Sequence, residues 1–275
     1  MARKLFCEIA PWAYNLSVKK QILQRHLKNI FSKEKFSTDF NKNPLPEKIA
    51  SWEGNIIKKG PGIDPVSQRN KAENIRLACN KINGIIIKPG ETFSFWRLIG
   101  KTSESHGFKQ GRVLINGKLT VGLGGGLCNL ANTLHLLFMQ APLTITELHH
   151  HSDALAPDPE WKRIPYSAGT SVNYNYLDLR FRNDSDQSVQ ILASCPADTL
   201  TAELRAEKPF PVKFSITEEG HHFHKSKNGN YYRLSKIYRE KIDAKTGEVI
   251  DRELKWDNRS RVMFDPALIP KELIR

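Results

Sequence analysis

Residues 121–139 read VGLGGGLCNLANTLHLLFM: four glycines in five positions lead to Cys128 at the head of an apolar run. A cysteine in the first turn of a helix meets unpaired N–H groups and the positive end of the helix dipole. Both favour thiolate over thiol, lowering the pKa and sharpening the nucleophile. Gly124, Gly125, Gly126 and Leu127 would let the backbone approach a substrate closely and turn N–H groups toward a developing oxyanion. The competing reading is a tight strand-to-helix turn with a buried cysteine. Nucleotide loops are set aside: no Gly-Lys-Ser/Thr follows, and the third glycine of the dinucleotide fingerprint is replaced by Leu127. No cofactor is expected.

A nucleophilic cysteine needs a base. TITELHHH, residues 144–151, alternates like a strand, which puts His149 and His151 on one face and His150 on the other. His151 or His149 could face the thiol. The alternatives are an exposed histidine cluster or a weak metal site made by His149 and His151. Trp161, in the Pro-rich stretch DALAPDPEWKRIPYSAG, is a candidate mobile substrate contact, whereas Phe93, Phe95 and Trp96 read as core.

Several elements must position these groups. Residues 1–36 read as a basic helical extension whose Val18, Ile22, Leu27 and Ile30 stand near helical spacing. Its expected role is packing on the domain with a solvated face; a membrane-surface helix is the alternative. KAENIRLACNKING predicts a helix stopped at Asn83-Gly84, and IIIKPGETFSFWRLIG a strand, a Pro-Gly turn and an aromatic strand. RVLINGKLTVG is a hairpin through Asn116-Gly117. A helix follows from Leu127 to Met139, ended by Pro142. TSVNYNYLDLRFRN and SVQILASC are strands, and Asp178 is expected to pair with Arg180 or Arg182 at the surface. YYRLSKIYREKID and EVIDRELKW flank a turn. The class is α+β: an antiparallel sheet with a central helix carrying a cysteine at its N-terminus. The divisions are residues 1–50 as helical extension, 51–200 as core and 201–275 as a β-rich C-terminal extension packed on it.

The chain has 275 residues and a net charge of +13, which favours anionic partners, an anionic membrane surface among them. Charge alone supports no specific nucleic-acid binding, because no recognition motif accompanies it. The N-terminal apolar stretch is broken by Glu8 and Pro11, so the expected place is the cytoplasm or the periphery of the inner membrane surface. Cys7, Cys79 and Cys195 read as small buried hydrophobes.

The region from Ile85 to Ile191 resembles the VanW family, named after an accessory protein of glycopeptide-resistance gene clusters. The resemblance is carried by Lys88-Pro-Gly-Glu-Thr-Phe-Ser-Phe-Trp96, Val113-Leu-Ile-Asn-Gly-Lys-Leu119, Gly124-Gly-Gly-Leu-Cys128, Pro142-Leu-Thr-Ile145, His151 and Tyr176-Leu-Asp-Leu-Arg-Phe-Arg-Asn183, and extends to Thr246-Gly-Glu-Val-Ile-Asp251. It implies a link to the bacterial cell envelope and glycopeptide response. The family's motif order is similar to the Cys-His-Asp arrangement of transglutaminase-like and papain-like thiol enzymes. Carried over, Cys128 is the nucleophile and His151 the base, while the acidic position falls on Gly169 and Asn129 stands where Gln is usual. Asn173, Asp153 and Asp158 are the candidate substitutes for the missing acid. Two functions follow: a thiol acyl-transferase, amidase or peptidase acting on an envelope-related peptide or amide, or a binding protein that uses the same cleft for an envelope precursor. Nothing in the sequence indicates an oligomeric state.

Overall fold

The computed structural model describes residues 6–58, 63–115, 118–151, 153–154, 157, 169–174 and 176–275. Asp158, Trp161 and the Asn116-Gly117 turn therefore lie outside the described residues. The chain runs α1 (Pro11–Phe31), β1 (Lys35–Phe36), β2 (Glu47–Asn55), α2 (Pro65–Ile82), β3 (Ile85–Ile87), β4 (Glu91–Ser94), α3 (Phe95–Ile99), β5 (Gln110–Ile115), β6 (Lys118–Leu123) and α4 (Leu127–Phe138). It continues with β7 (Leu143–Glu147), β8 (Asp153–Ala154), β9 (Arg180–Asn183), β10 (Val189–Ser194), β11 (Thr199–Ala206), β12 (Val212–Lys225), β13 (Tyr231–Asp243) and β14 (Val249–Val262).

The fold is α+β with more strand than helix. One sheet runs β2-β11-β10-β3, wholly antiparallel, and a second runs β1-β4-β9-β7. Leu200, Leu204, Val189 and Ile191 are buried in the first sheet, and Phe93 and Phe181 pair across β4 and β9 in the second. The helices α2 and α4 complete this core. α4 is apolar nearly all round, with Leu127, Leu130, Ala131, Leu134, Leu137 and Phe138 buried, as a helix enclosed by its neighbours must be. A third sheet, β12-β13-β14-β8, forms a long C-terminal arm. Arg239 of β13 ties the arm to the core, donating from Nε to the Met139 carbonyl at 2.8 Å and from Nη2 to the Ala141 carbonyl, both just past the end of α4.

Several expectations change. α2 starts at Pro65 rather than Lys71, because the Asp64 carboxylate accepts from the N–H groups of Val66 and Ser67 and Pro65 fits the first helical position. Phe95 and Trp96 stand in the short helix α3, not a strand, since Ser94 Oγ accepts from the Arg97 N–H and turns the chain; both remain core. Residues 170–183 are not one strand. Asn173 and Leu177 bridge back on each other, and only Arg180–Asn183 joins a sheet. Cys79 and Cys195 are buried, but Cys7 is only half-buried.

The largest departure is α1. Val18 and Ile22 are half-buried, but Leu27 and Ile30 face outward with Trp12, Leu16 and Leu23. Polar groups dock the helix instead. Arg25 grips the Glu147 carboxylate with two 2.5 Å bonds and donates to the Tyr176 carbonyl, and Arg180 donates to Asn29 Oδ1 at 2.7 Å.

Candidate functional site

The glycine loop is held tightly by its surroundings. Gly125 rests on the backbone of β5, so close that a Cβ would stand 2.6 Å from the Gly111 carbonyl carbon. The buried Asn74 side chain donates to the Gly125 and Lys109 carbonyls, each at 3.0 Å. Gly126, at φ 104°, is the N-cap of α4, a left-handed position that an L side chain resists. The loop's amides are partly engaged already: the Gly124 N–H donates to the Lys109 carbonyl at 3.1 Å and the Leu127 N–H to the Gly124 carbonyl at 3.4 Å. Neither is directed to an oxyanion.

Cys128 is the second residue of α4, as the glycine-to-helix pattern predicts. Its surroundings reverse the expected acidity. Cys128 packs against the hydrophobic core, and its sulfur donates to the Val172 carbonyl at 3.6 Å. Burial pushes the thiol above its ordinary value, outweighing the hydrogen bonds that work the other way. Among the described residues no hydrogen bond joins Cys128 to His151 or to any other imidazole.

The three histidines do not continue β7, which ends at Glu147. They pair instead with residues 169–171: the His151 N–H donates to the Gly169 carbonyl at 3.2 Å, the Ser171 N–H to the His149 carbonyl at 2.7 Å, and His150 bridges Thr170. His149 turns to Glu147, Nε2 to Oε1 at 3.0 Å. For Glu147, burial alone would raise the pKa. Hydrogen bonds from His149, Arg25 and the Asp178 N–H overcome it and hold the carboxyl at about 2. Burial lowers the His151 pKa, and the charge of Asp153 opposes that shift. Among the described candidates for the missing acid, Asp153 is the one whose charge reaches His151. The Asn173 side chain hydrogen-bonds to Tyr176, and Asn129 is exposed.

A concave site lies further along α4. Asn132, His135 and Met139 follow Cys128 at helical spacings of four, seven and eleven, and line a cavity of about 580 Å³ with β7, His150, Gly169 and the β13–β14 arm. The His150 ring stacks on Trp256 with centroids 3.6 Å apart, and His135 approaches His150 edge-on at 6.0 Å. The Nδ1 of His135 is 3.1 Å from Thr170 Oγ1, while Asn132 Oδ1 accepts from the Thr170 N–H at 3.2 Å. Burial first, then neighbouring positive charge, brings His135 down to about 3; burial brings His150 to about 4. Both are neutral at physiological pH. This cavity offers Trp256 and uncharged imidazoles beside the charged Glu147, Arg239, Glu253 and Lys255, a mixed surface suited to amide or peptide groups.

Sequence reasoning missed Asn132 and His135, although their helical spacing from Cys128 was a signal that could have found them; the partner Trp256, more than a hundred residues away, gave no such signal. Asp178 was expected at the surface but is fully buried. Its carboxylate accepts from Ser94 Oγ at 2.6 Å, the Trp96 N–H at 3.0 Å and Arg180 Nε at 2.8 Å, a structural role.

The model of the family described as VanW like protein matches residues 70–205. Over 229 residues, 83% of this chain and 82% of the relative, the sequence is 30% identical to "Vancomycin B-type resistance protein VanW" of Enterococcus faecalis (strain ATCC 700802 / V583). It is 28% identical over 127 residues, 46% of this chain and 40% of the relative, to "Uncharacterized protein YoaR" of Bacillus subtilis (strain 168). No solved structure matches.

Proposed function

This chain belongs to the VanW-like family, and on that premise we propose that it is an accessory binding protein of the glycopeptide-resistance type, which takes a peptide or amide group of a cell-envelope precursor into the cavity beside α4. The observation that carries this reading is the state of Cys128: half-buried against the core, raised in pKa by the loss of solvation, and bonded to the Val172 carbonyl instead of an imidazole. A thiol in that state is a poor nucleophile at neutral pH. Neutral His135 and His150 serve as hydrogen-bonding groups, and Trp256 supplies a flat face for the ligand.

The second reading is a thiol acyl-transferase, amidase or peptidase, with Cys128 attacking and His151 moving the proton. One observation favours it: Cys128 and His151 both hydrogen-bond to the single short segment 169–172, at Val172 and Gly169. A shift in that segment would move both groups together.

The pH dependence of Cys128 alkylation, followed by mass spectrometry in wild type and His151→Ala, separates the two. The binding reading expects slow alkylation, an inflection above the ordinary thiol value of about 8.5 and indifference to His151. An inflection well below it that rises in His151→Ala establishes an activated pair, and the binding reading fails.

A further inference from the structure

We propose that α1 is an interfacial helix that docks this protein on the surface of an anionic lipid bilayer. The apolar face of α1 is turned the wrong way for a domain-packing helix. At about 100° per residue, Trp12, Leu16, Leu23, Leu27 and Ile30 fall within roughly 60° of arc. Each is between 45% and 72% exposed. Just ahead of the helix, Phe6 and Ile9 are exposed as well, with the Phe6 ring set edge-on to Trp12 at 5.7 Å. An apolar stripe this long, left in water on a soluble domain, marks an interaction surface.

The helix cannot hide the stripe by rolling. Its opposite side holds Arg25 on Glu147 and Asn29 on Arg180, and Tyr14 shares a hydrogen bond with Tyr176. Polar contacts fix the helix to the body, and the apolar side is left for something else.

Charge selects the occupant. Lys19 and Lys20 fall on the two borders of the stripe, Lys28 lies further round, and no acidic residue occurs from Ile9 to Lys33. Among the described residues these three lysines make no ion pair. A second copy of the chain, packed stripe to stripe about a two-fold axis, would bring the lysine borders together without a neutralising carboxylate. A bilayer surface rich in anionic headgroups satisfies both features. The stripe enters the acyl boundary, the lysine stems extend to the phosphates, and Trp12 sits at the interface. Among the described residues no helix is long and apolar enough to cross the membrane, so α1 would lie in its plane. This surface is separate from the cavity beside α4, and neither reading depends on the other.

The test is co-flotation of the full chain with vesicles of phosphatidylcholine containing roughly one-third phosphatidylglycerol, against phosphatidylcholine alone, at low salt and at about 0.5 M salt. Wild type is expected to float with the anionic vesicles, weakly with the neutral ones and less at high salt. Leu23→Gln/Leu27→Gln and Lys19→Glu/Lys20→Glu are each expected to lower partitioning about tenfold or more, a result of losing apolar area or headgroup attraction. These side chains face solvent, so matching circular dichroism and melting curves are expected to show intact folds. Quenching by brominated lipid, lost in Trp12→Phe, gives a second measurement that needs no change in the stripe's charge. The proposal is overturned if wild type fails to float with anionic vesicles, or if the leucine variant floats as well as wild type. It is equally overturned if sedimentation shows a wild-type dimer that the leucine variant abolishes, because the occupant is then a second copy.

Discussion

Gly169 stands directly against His151: a Cβ built on Gly169 would lie 3.2 Å from His151 Cδ2, and the two residues share the backbone bond from the His151 N–H to the Gly169 carbonyl. The position at which the VanW resemblance expects an acid is therefore beside the histidine it would orient. In this chain that side chain is absent, and Gly169 packs close to the His151 ring and lines the cavity instead.

Gly169→Asp is expected to restore a carboxylate beside His151 and raise its pKa, since a nearby negative charge favours the imidazolium. The backbone φ of 56° is left-handed, which Asp tolerates better than most residues, so the cost is about 1 kcal/mol. The ring resonances of His151, followed by NMR through a pH titration, report the shift. An unmoved titration would show that position 169 does not govern this histidine.

Stability is expected to fall as the pH drops below neutrality. His135 and His150 have folded pKa values near 3 and 4, depressed from 6.5. Between pH 6.5 and those values the unfolded chain binds more protons, so stability rises with pH across the window and is lost on acidification. Each histidine contributes a slope of roughly 1.4 kcal/mol per pH unit. Denaturant unfolding of wild type and His150→Gln from pH 7 to 4.5 checks this, and the variant should show the shallower dependence. Parallel curves would mean that His150 is accessible to protons in the folded state.

Arg25→Ala is expected to loosen α1 and leave Glu147 without its bidentate partner. The two side chains are 11% and 15% exposed, and Glu147 keeps His149 and the Asp178 N–H, so the loss is about 2 kcal/mol, below that of a fully buried pair. Adding Glu147→Gln should recover part of it by removing the stranded charge. Limited proteolysis near α1, faster in Arg25→Ala than in the double variant, is the readout. Equal rates in all three proteins would show that this pair does not anchor the helix.

Gly125→Ala tests the glycine loop as a packed turn. The added methyl would meet the Gly111 carbonyl carbon at 2.6 Å and the Arg112 nitrogen at 2.8 Å, backbone atoms that cannot swing aside. Overpacking of this kind costs about 3 kcal/mol. A denaturation midpoint equal to wild type would mean that the loop has room to spare, and its glycines would need another explanation.

Much of the fold was legible because its signals are local. Apolar runs marked α4 and β10, Asp243 through Gly247 formed the turn between β13 and β14, and the glycines ahead of Leu127 announced a strand-to-helix corner. Cys128 at the head of that helix is a consequence of residue order alone. Its acidity is not, because a thiol answers to burial and to the Val172 carbonyl as well as to the helix dipole, and those come from a segment more than forty residues away. The same reason explains α1. Its amphipathic spacing was written in the sequence, but which side faces the body was decided by Arg25 meeting Glu147 and Asn29 meeting Arg180, long-range polar contacts that outweighed the usual inward turn of an apolar stripe. The cavity wall of His135, His150 and Trp256 likewise exists only after α4, the histidine segment and the C-terminal arm are packed together. Periodicity dictates which elements form; the pairing of distant charged, polar and aromatic groups decides which way they face.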